Sequence, residues 1–114
     1  MQDASCFSTA SGQKAVYEFH FEWDPAKAAD NWHKHGISFE QAATVFHDPL
    51  MISIPDEEHS EREERWITLG QAENSKLLLV VHTYLEISPN AANVRIISAR
   101  SATKHEQRQY ETKP

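Results

Sequence analysis

Between Val16 and Trp23 hydrophobic and polar positions alternate one by one, with Tyr17, Phe19 and Phe21 on one side and Val16, Glu18 and His20 on the other. That two-residue period predicts a strand with one buried face. The period then lengthens. Asp24 is placed to cap a helix, Pro25 sits where a missing N–H costs nothing, and Gly36 is the residue type that ends helices in a left-handed conformation. A helix is expected over the stretch between them. Ser38 followed by Gln41 resembles a capping box, and Phe39, Ala42, Ala43 and Phe46 form an apolar stripe at helical spacing, which predicts a second short helix ending near Asp48 and Pro49.

Beyond Pro49 the pattern returns to short β-rich runs: "LMISI", "RWITLGQ", "KLLLVVHTYLE" and "NVRIISA". Charged or Asn/Ser/Pro-containing breaks separate them, so they are expected to be strands joined by hairpins. The wholly apolar "LLLVV" predicts a central strand covered on both faces. A terminal helix follows from "SATKHEQRQYE", with Ser101 or Thr103 as cap and Glu106 three residues after Thr103. The order is β-α-α-β-β-β-β-α, with no repeat and no linker. An α+β domain with a mostly antiparallel sheet, two N-terminal helices and a C-terminal helix is therefore expected.

Composition narrows the class. The chain has 114 residues, 39% hydrophobic and 25% charged, in keeping with one soluble globular domain. No apolar run approaches the roughly 20 residues a membrane span needs. Residues 1–15 are Ser-, Ala- and Gln-containing, without a basic or apolar leader region, and are expected to form a flexible tail. A cytoplasmic location is the corresponding expectation. Cys6 lies in that tail as the single cysteine, which excludes an internal disulfide.

The net charge of −6 is unevenly spread. From Asp56 to Glu64, six acidic residues meet one base, Arg62; from Arg95 onward Arg95, Arg100, Lys104, Arg108 and Lys113 outnumber Glu106 and Glu111.

Several chemistries lack their signatures. His33 and His35 are two apart, which on a helix turns them about 200° from each other, whereas a chelating pair needs a spacing of three or four. Gly12, Gly36 and Gly70 are isolated, so no phosphate-cradling loop is present, and no G-x-S-x-G elbow occurs. What remains is an arrangement for RNA cleavage or phosphate binding: a proton-transfer group for a ribose 2′-hydroxyl and cations for the charge developing on phosphorus. Lys34, His35, Arg65, His82, Arg95, Arg100 and Tyr110 are the candidates. Each also has a structural reading: His35 as a partner of the helix dipole, Arg65 as a partner of neighbouring acids, His82 as a core residue, Tyr110 as packing. Regular alternation would place Arg95 and Arg100 on opposite faces of their strand.

The segments "FEWDPAKAADNWHKHGISFEQAATVFHDP", "EEHSEREERWITLG" and "NVRIISARSATKHEQRQYE" together resemble the BrnT family, ribonuclease toxins of bacterial type II toxin–antitoxin systems. The resemblance runs from about Phe21 to Tyr110, through F-x-W-D-x-x-K, N-x-x-K-H-G-I-x-F-E-x-A, V-F-x-D-P, E-E-R, R-I-I-S-A-R and E-x-x-x-Y. It implies a RelE-like fold with the same element order, a single toxin domain over residues 16–114, and a metal-independent endoribonuclease without cofactor. It further implies neutralisation by a cognate, BrnA-like ribbon-helix-helix antitoxin, DNA being reached only through that partner. On this basis Lys34, His35, Arg65, Arg95 and Arg100 are expected to be catalytic, and His82, Lys104, Arg108 and Tyr110 to bind RNA. The alternative is a non-catalytic interaction module of the same fold; a third reading has the basic end gripping a small anion.

Overall fold

The computed structural model describes residues 17–59 and 64–112; the expected tail, with Cys6, lies outside the described residues. Strand β1 (Glu18–Glu22) leads into helix α1 (Pro25–His35) and helix α2 (Phe39–Ala43), the latter continued by a 3₁₀ turn over Thr44–His47. Five strands follow: β2 (Ile52–Pro55), β3 (Arg65–Gln71), β4 (Leu77–Thr83), β5 (Leu85–Ser88) and β6 (Ala91–Ser101), then helix α3 (Lys104–Thr112). The sheet order is β1-β6-β4-β3-β2, with β5 also on β6. β1 runs parallel to β6 and the other pairings are antiparallel.

The capping chemistry is realised at each predicted helix start. Ala26 N donates to the Asp24 carboxylate at 3.0 Å, and Gln41 N to Ser38 Oγ at 3.0 Å. At α3 the box is reciprocal: Glu106 N donates to Thr103 Oγ1 and Thr103 N to Glu106 Oε1. Gly36 closes α1 at φ 66°, a conformation costly for a side chain bearing a Cβ.

β4 lies between β3 and β6, as the apolar run predicts, but it is fully buried on one face only, because among the described residues no helix covers the other face as α1 and α2 cover this one. Its even-numbered residues Leu78, Val80 and His82 are buried, on the face that α1 and α2 cover together with Val94, Ile96 and Ala99 of β6. Two further features differ from the expectation. The run "KLLLVVHTYLE" is two strands, because the chain breaks at Tyr84 and β5 pairs with β6 through an irregular register. And β6 carries a bulge: His82 pairs with Ile96 but Val81 pairs with Ser98, leaving Ile97 extra. Buried positions accordingly switch from even (Ala92, Val94, Ile96) to odd (Ala99). Arg95 and Arg100, expected on opposite faces, therefore share the face turned away from α1 and α2.

β1 ends opposite Arg95, so the far half of β6 has no strand on that edge. Asn31 of α1 takes its place. Its side-chain amide donates to the Ala99 carbonyl at 2.8 Å and to the Ile37 carbonyl at 3.0 Å, and its Oδ1 accepts from Ala99 N at 3.0 Å. One buried amide thus continues the ladder and anchors α1 and the post-helix turn to the sheet. Asn31→Ala leaves buried backbone groups unpaired and is expected to destabilise the fold by roughly 2–4 kcal/mol. Urea unfolding of both proteins measures it; a loss under 1 kcal/mol would show that the edge is satisfied some other way.

Candidate functional site

Across the exposed face of the sheet, at the end where β3 begins and β4 finishes, Arg65, Thr83 and Arg95 lie in one row. Arg65 is the register partner of Thr83, and Arg95 N donates to Thr83 Oγ1 at 3.3 Å. Strand parity fixes the face: the residues beside them, Trp66, His82, Val94 and Ile96, point to the helix side. Two guanidinium groups flanking a threonine can grip one phosphate from both sides, since each is permanently charged and offers paired N–H donors.

Lys34 and His35 lie at the edge of β6 that Asn31 closes, with β4 between β6 and the strand that carries Arg65. They close α1 and line a shallow depression of about 190 Å³ with Lys27, Asp30, Asn31 and the bulge residues Ile97 and Ser98. Ser98 shares the face of Arg95 and stands about two strand positions, roughly 7 Å, from it. Beyond the bulge, β6 thus shares this depression with the "KHG" corner.

The remaining predicted residues lie elsewhere. Arg100 is about 13 Å along β6 from Arg95. Its NH1 and NH2 donate to the two oxygens of Glu106 at 2.9 and 2.8 Å, and NH1 also to the Ser101 carbonyl at 3.1 Å. This bidentate pair ties α3 to β6 and holds the Glu106 carboxyl down at about 2. Tyr110, four residues after Glu106 on the same side of α3, donates to Asp48 Oδ2 at 2.6 Å, and its phenol is pushed up to about 12, first by burial and then by that bond. Asp48 also accepts from Leu50 N and Gln71 N, so the "HDP" segment, α3 and the end of β3 meet at one carboxylate. Lys104 and Arg108 lie on the exposed opposite side of α3.

His82 is 2% exposed and faces the helices, away from the arginines. Its ring stacks edge-on against Phe46 at 4.8 Å between centroids. Nδ1 lies 2.9 Å from the Thr83 carbonyl, which only accepts, so Nδ1 carries the proton and Nε2 is the acceptor. Thr68 Oγ1 then donates to Nε2 at 2.6 Å and Ser53 Oγ donates to Thr68 at 2.7 Å. A directed chain Ser53–Thr68–His82 results. Burial lowers the imidazole below its ordinary value, only partly offset by the bond to Thr83, and keeps it neutral.

Sequence reasoning missed Asn31, Ser53, Thr68 and Thr83. Their short side chains carry no periodic or charge signal, and only the register brings them to their partners. Among the described residues no three His, Cys, Asp or Glu side chains gather in a metal-ligating group, and no helix is long and apolar enough to cross a membrane.

Residues 23–106 match the family model described as ribonuclease toxin, BrnT, of type II toxin–antitoxin system. That range contains the arginine row, the "KHG" corner and the Arg100–Glu106 pair. The chain is also similar in structure to the Brucella abortus ribonuclease toxin BrnT, seen in a crystal structure at 1.1 Å resolution. The TM-score is 0.51 and the identity 20%, over 78% of this chain and 100% of that one, a likeness of fold. No curated protein matches.

Because His82 is held neutral when folded but titrates near its ordinary 6.5 when unfolded, its contribution to stability is full above that pH and is lost as pH falls below it. The melting temperature of the wild type should fall more steeply from pH 7.5 to pH 5 than that of His82→Gln. Parallel curves would show that this imidazole is not kept neutral. Glu106 acts in a separate, lower window: its contribution is complete above the usual carboxylate range and lost as pH falls toward about 2.

Proposed function

This chain belongs to the BrnT family of ribonuclease toxins of type II toxin–antitoxin systems, and from that premise we propose that it is a metal-independent endoribonuclease whose phosphate-binding centre is the row Arg65–Thr83–Arg95. The observation that carries the reading is the register that sets Arg65 opposite Thr83 with Arg95 N bonded to Thr83 Oγ1, while beyond the β6 bulge Ser98 shares a depression with Lys34 and His35.

The chemistry follows from the groups present. A ribose 2′-hydroxyl attacks the adjacent phosphorus, its proton passes to the His35 imidazole, and the bond from phosphorus to the 5′-oxygen breaks to leave a 2′,3′-cyclic phosphate. The departing oxygen takes a proton from the Lys34 ammonium. Arg65 and Arg95 bear the charge that grows on the non-bridging oxygens, where preorganised donors act most strongly. Arg100 is spent on Glu106 and positions α3. The partner is a cognate antitoxin, which we take to be a BrnA-like ribbon-helix-helix protein that covers the arginine row and excludes RNA.

Arg65→Ala and Arg95→Ala are each expected to lower single-turnover RNA cleavage of the folded protein by about 10²–10³-fold. His35→Ala should cost about 10²–10⁴-fold if its imidazole moves the proton. Arg100→Ala should do the reverse of the other arginines, lowering the melting temperature while the folded protein keeps its rate to within about tenfold. Cleavage at the wild-type rate by both Arg65→Ala and Arg95→Ala would defeat the assignment.

A further inference from the structure

On the helix side of the sheet, directly behind the arginine row, lies a cavity of about 340 Å³, within the range of small-ligand pockets. Its walls are aromatic. Phe19 and Phe46, 5.4 Å apart between centroids, form one side, and Trp66 and Tyr84, 6.4 Å apart, the other. At the rim the Tyr84 and Tyr17 hydroxyls hydrogen-bond to each other. Besides His82, whose ring nitrogens are both engaged, two side chains bring polar groups to this lining. Trp66 Nε1–H is shut off from solvent and has no acceptor. Ser53 is exposed at the cavity, and because its hydroxyl proton is drawn inward along the chain to His82, it presents lone pairs outward. The cavity therefore offers aromatic walls and one oriented acceptor, with an unused donor buried beside it.

That combination is the chemistry of an unpaired nucleobase, which has two π faces and an edge with donors and acceptors side by side. An aliphatic side chain would fill the volume but leave the indole N–H and the Ser53 lone pairs unanswered. The position agrees: Trp66 follows Arg65 in β3, and His82 and Tyr84 flank Thr83, so the cavity and the phosphate row occupy the same end of the sheet. A strand of RNA passing over the ends of β3 and β4 would leave a phosphate on one side and a base on the other.

We propose that this cavity receives one unpaired nucleobase of the RNA substrate, stacked among Phe19, Phe46, Trp66 and Tyr84, with its edge read by the Trp66 N–H as donor and Ser53 Oγ as acceptor. Reading the edge with the indole N–H requires the ring to turn so that this buried group enters the cavity. The proposal rests on the RNA reading above and adds to it a specificity pocket, so the test separates the two. Fluorescence anisotropy of a labelled, uncleavable 2′-O-methyl RNA hexamer is measured with the wild type, Trp66→Phe and Ser53→Ala, alongside the same hexamer carrying an abasic site at each position in turn. One abasic position is expected to weaken wild-type binding by about tenfold or more, the loss of one stacked base. Trp66→Phe, which keeps an aromatic face though a smaller one and removes the donor, and Ser53→Ala should each weaken binding of the intact hexamer about three- to tenfold and have no effect on the hexamer abasic at that position.

Circular dichroism and melting temperature establish that both variants are folded, and Ser53, on an exposed edge strand, provides the test if Trp66→Phe is not. Equal binding of intact and abasic hexamers would overturn the pocket while leaving RNA binding intact. Absence of salt-dependent binding to any hexamer would overturn both readings. If the variants bind RNA like the wild type but hold the antitoxin more weakly, the cavity seats a protein side chain and the proposal is wrong.

Discussion

The extra residue in β6 governs the rest of the molecule. The same residues paired without a bulge would keep even-numbered positions inward throughout and drive the Arg100 side chain into the core that Ala99 now fills. By inserting Ile97 the chain changes phase once, between the half of β6 that pairs with β1 and the half whose edge is closed by Asn31. Arg95, Ser98 and Arg100 come to one face, Ala99 becomes small enough and correctly turned to meet the Asn31 amide, and α1 docks with its C-terminal corner against the bulge. A bulge placed beside a functional surface is a common way of aiming side chains that the pleat alone would misdirect.

Local chemistry was easy to read and long-range chemistry was not. Asp24, Ser38, Thr103 and Gly36 act within a few residues of themselves, so their roles follow from short motifs, and the apolar "LLLVV" marked the central strand. The family resemblance likewise located the "KHG" corner and the arginines. Nothing in "NVRIISA" announces a bulge, however, because Ile96 and Ile97 are interchangeable in hydrophobicity and only the register against Val81 and His82 distinguishes them. The break at Tyr84 was hidden for a similar reason: "THR-TYR-LEU" reads as uninterrupted β-propensity. Asn31 was concealed in a helix as an ordinary polar residue, although its three hydrogen bonds reach as far as 68 positions along the chain.

Charge alone gave the least reliable picture of the site. Arg65, Arg95 and Arg100 look equivalent as letters, yet the third is held by a bidentate carboxylate at the α3 end of the sheet and the first two flank Thr83 at the other end. Likewise His82 and Tyr110, plausible RNA contacts by residue type, serve a buried hydroxyl chain and the Asp48 junction. The net charge of −6 is no obstacle to a phosphate site of this kind, since a bound anion is held by the few cations within a Debye length of about 8–10 Å, and acids beyond it are screened.

The central claim is that Arg65 and Arg95 act on one phosphate as a unit. A double-mutant cycle in single-turnover RNA cleavage tests it directly, using Arg65→Ala, Arg95→Ala and the double variant. Groups that clamp the same phosphate are strongly non-additive, so the double variant should be slower than the worse single variant by no more than about tenfold. Losses that simply multiply would contradict the account, because they would mean that the two guanidinium groups work at separate places.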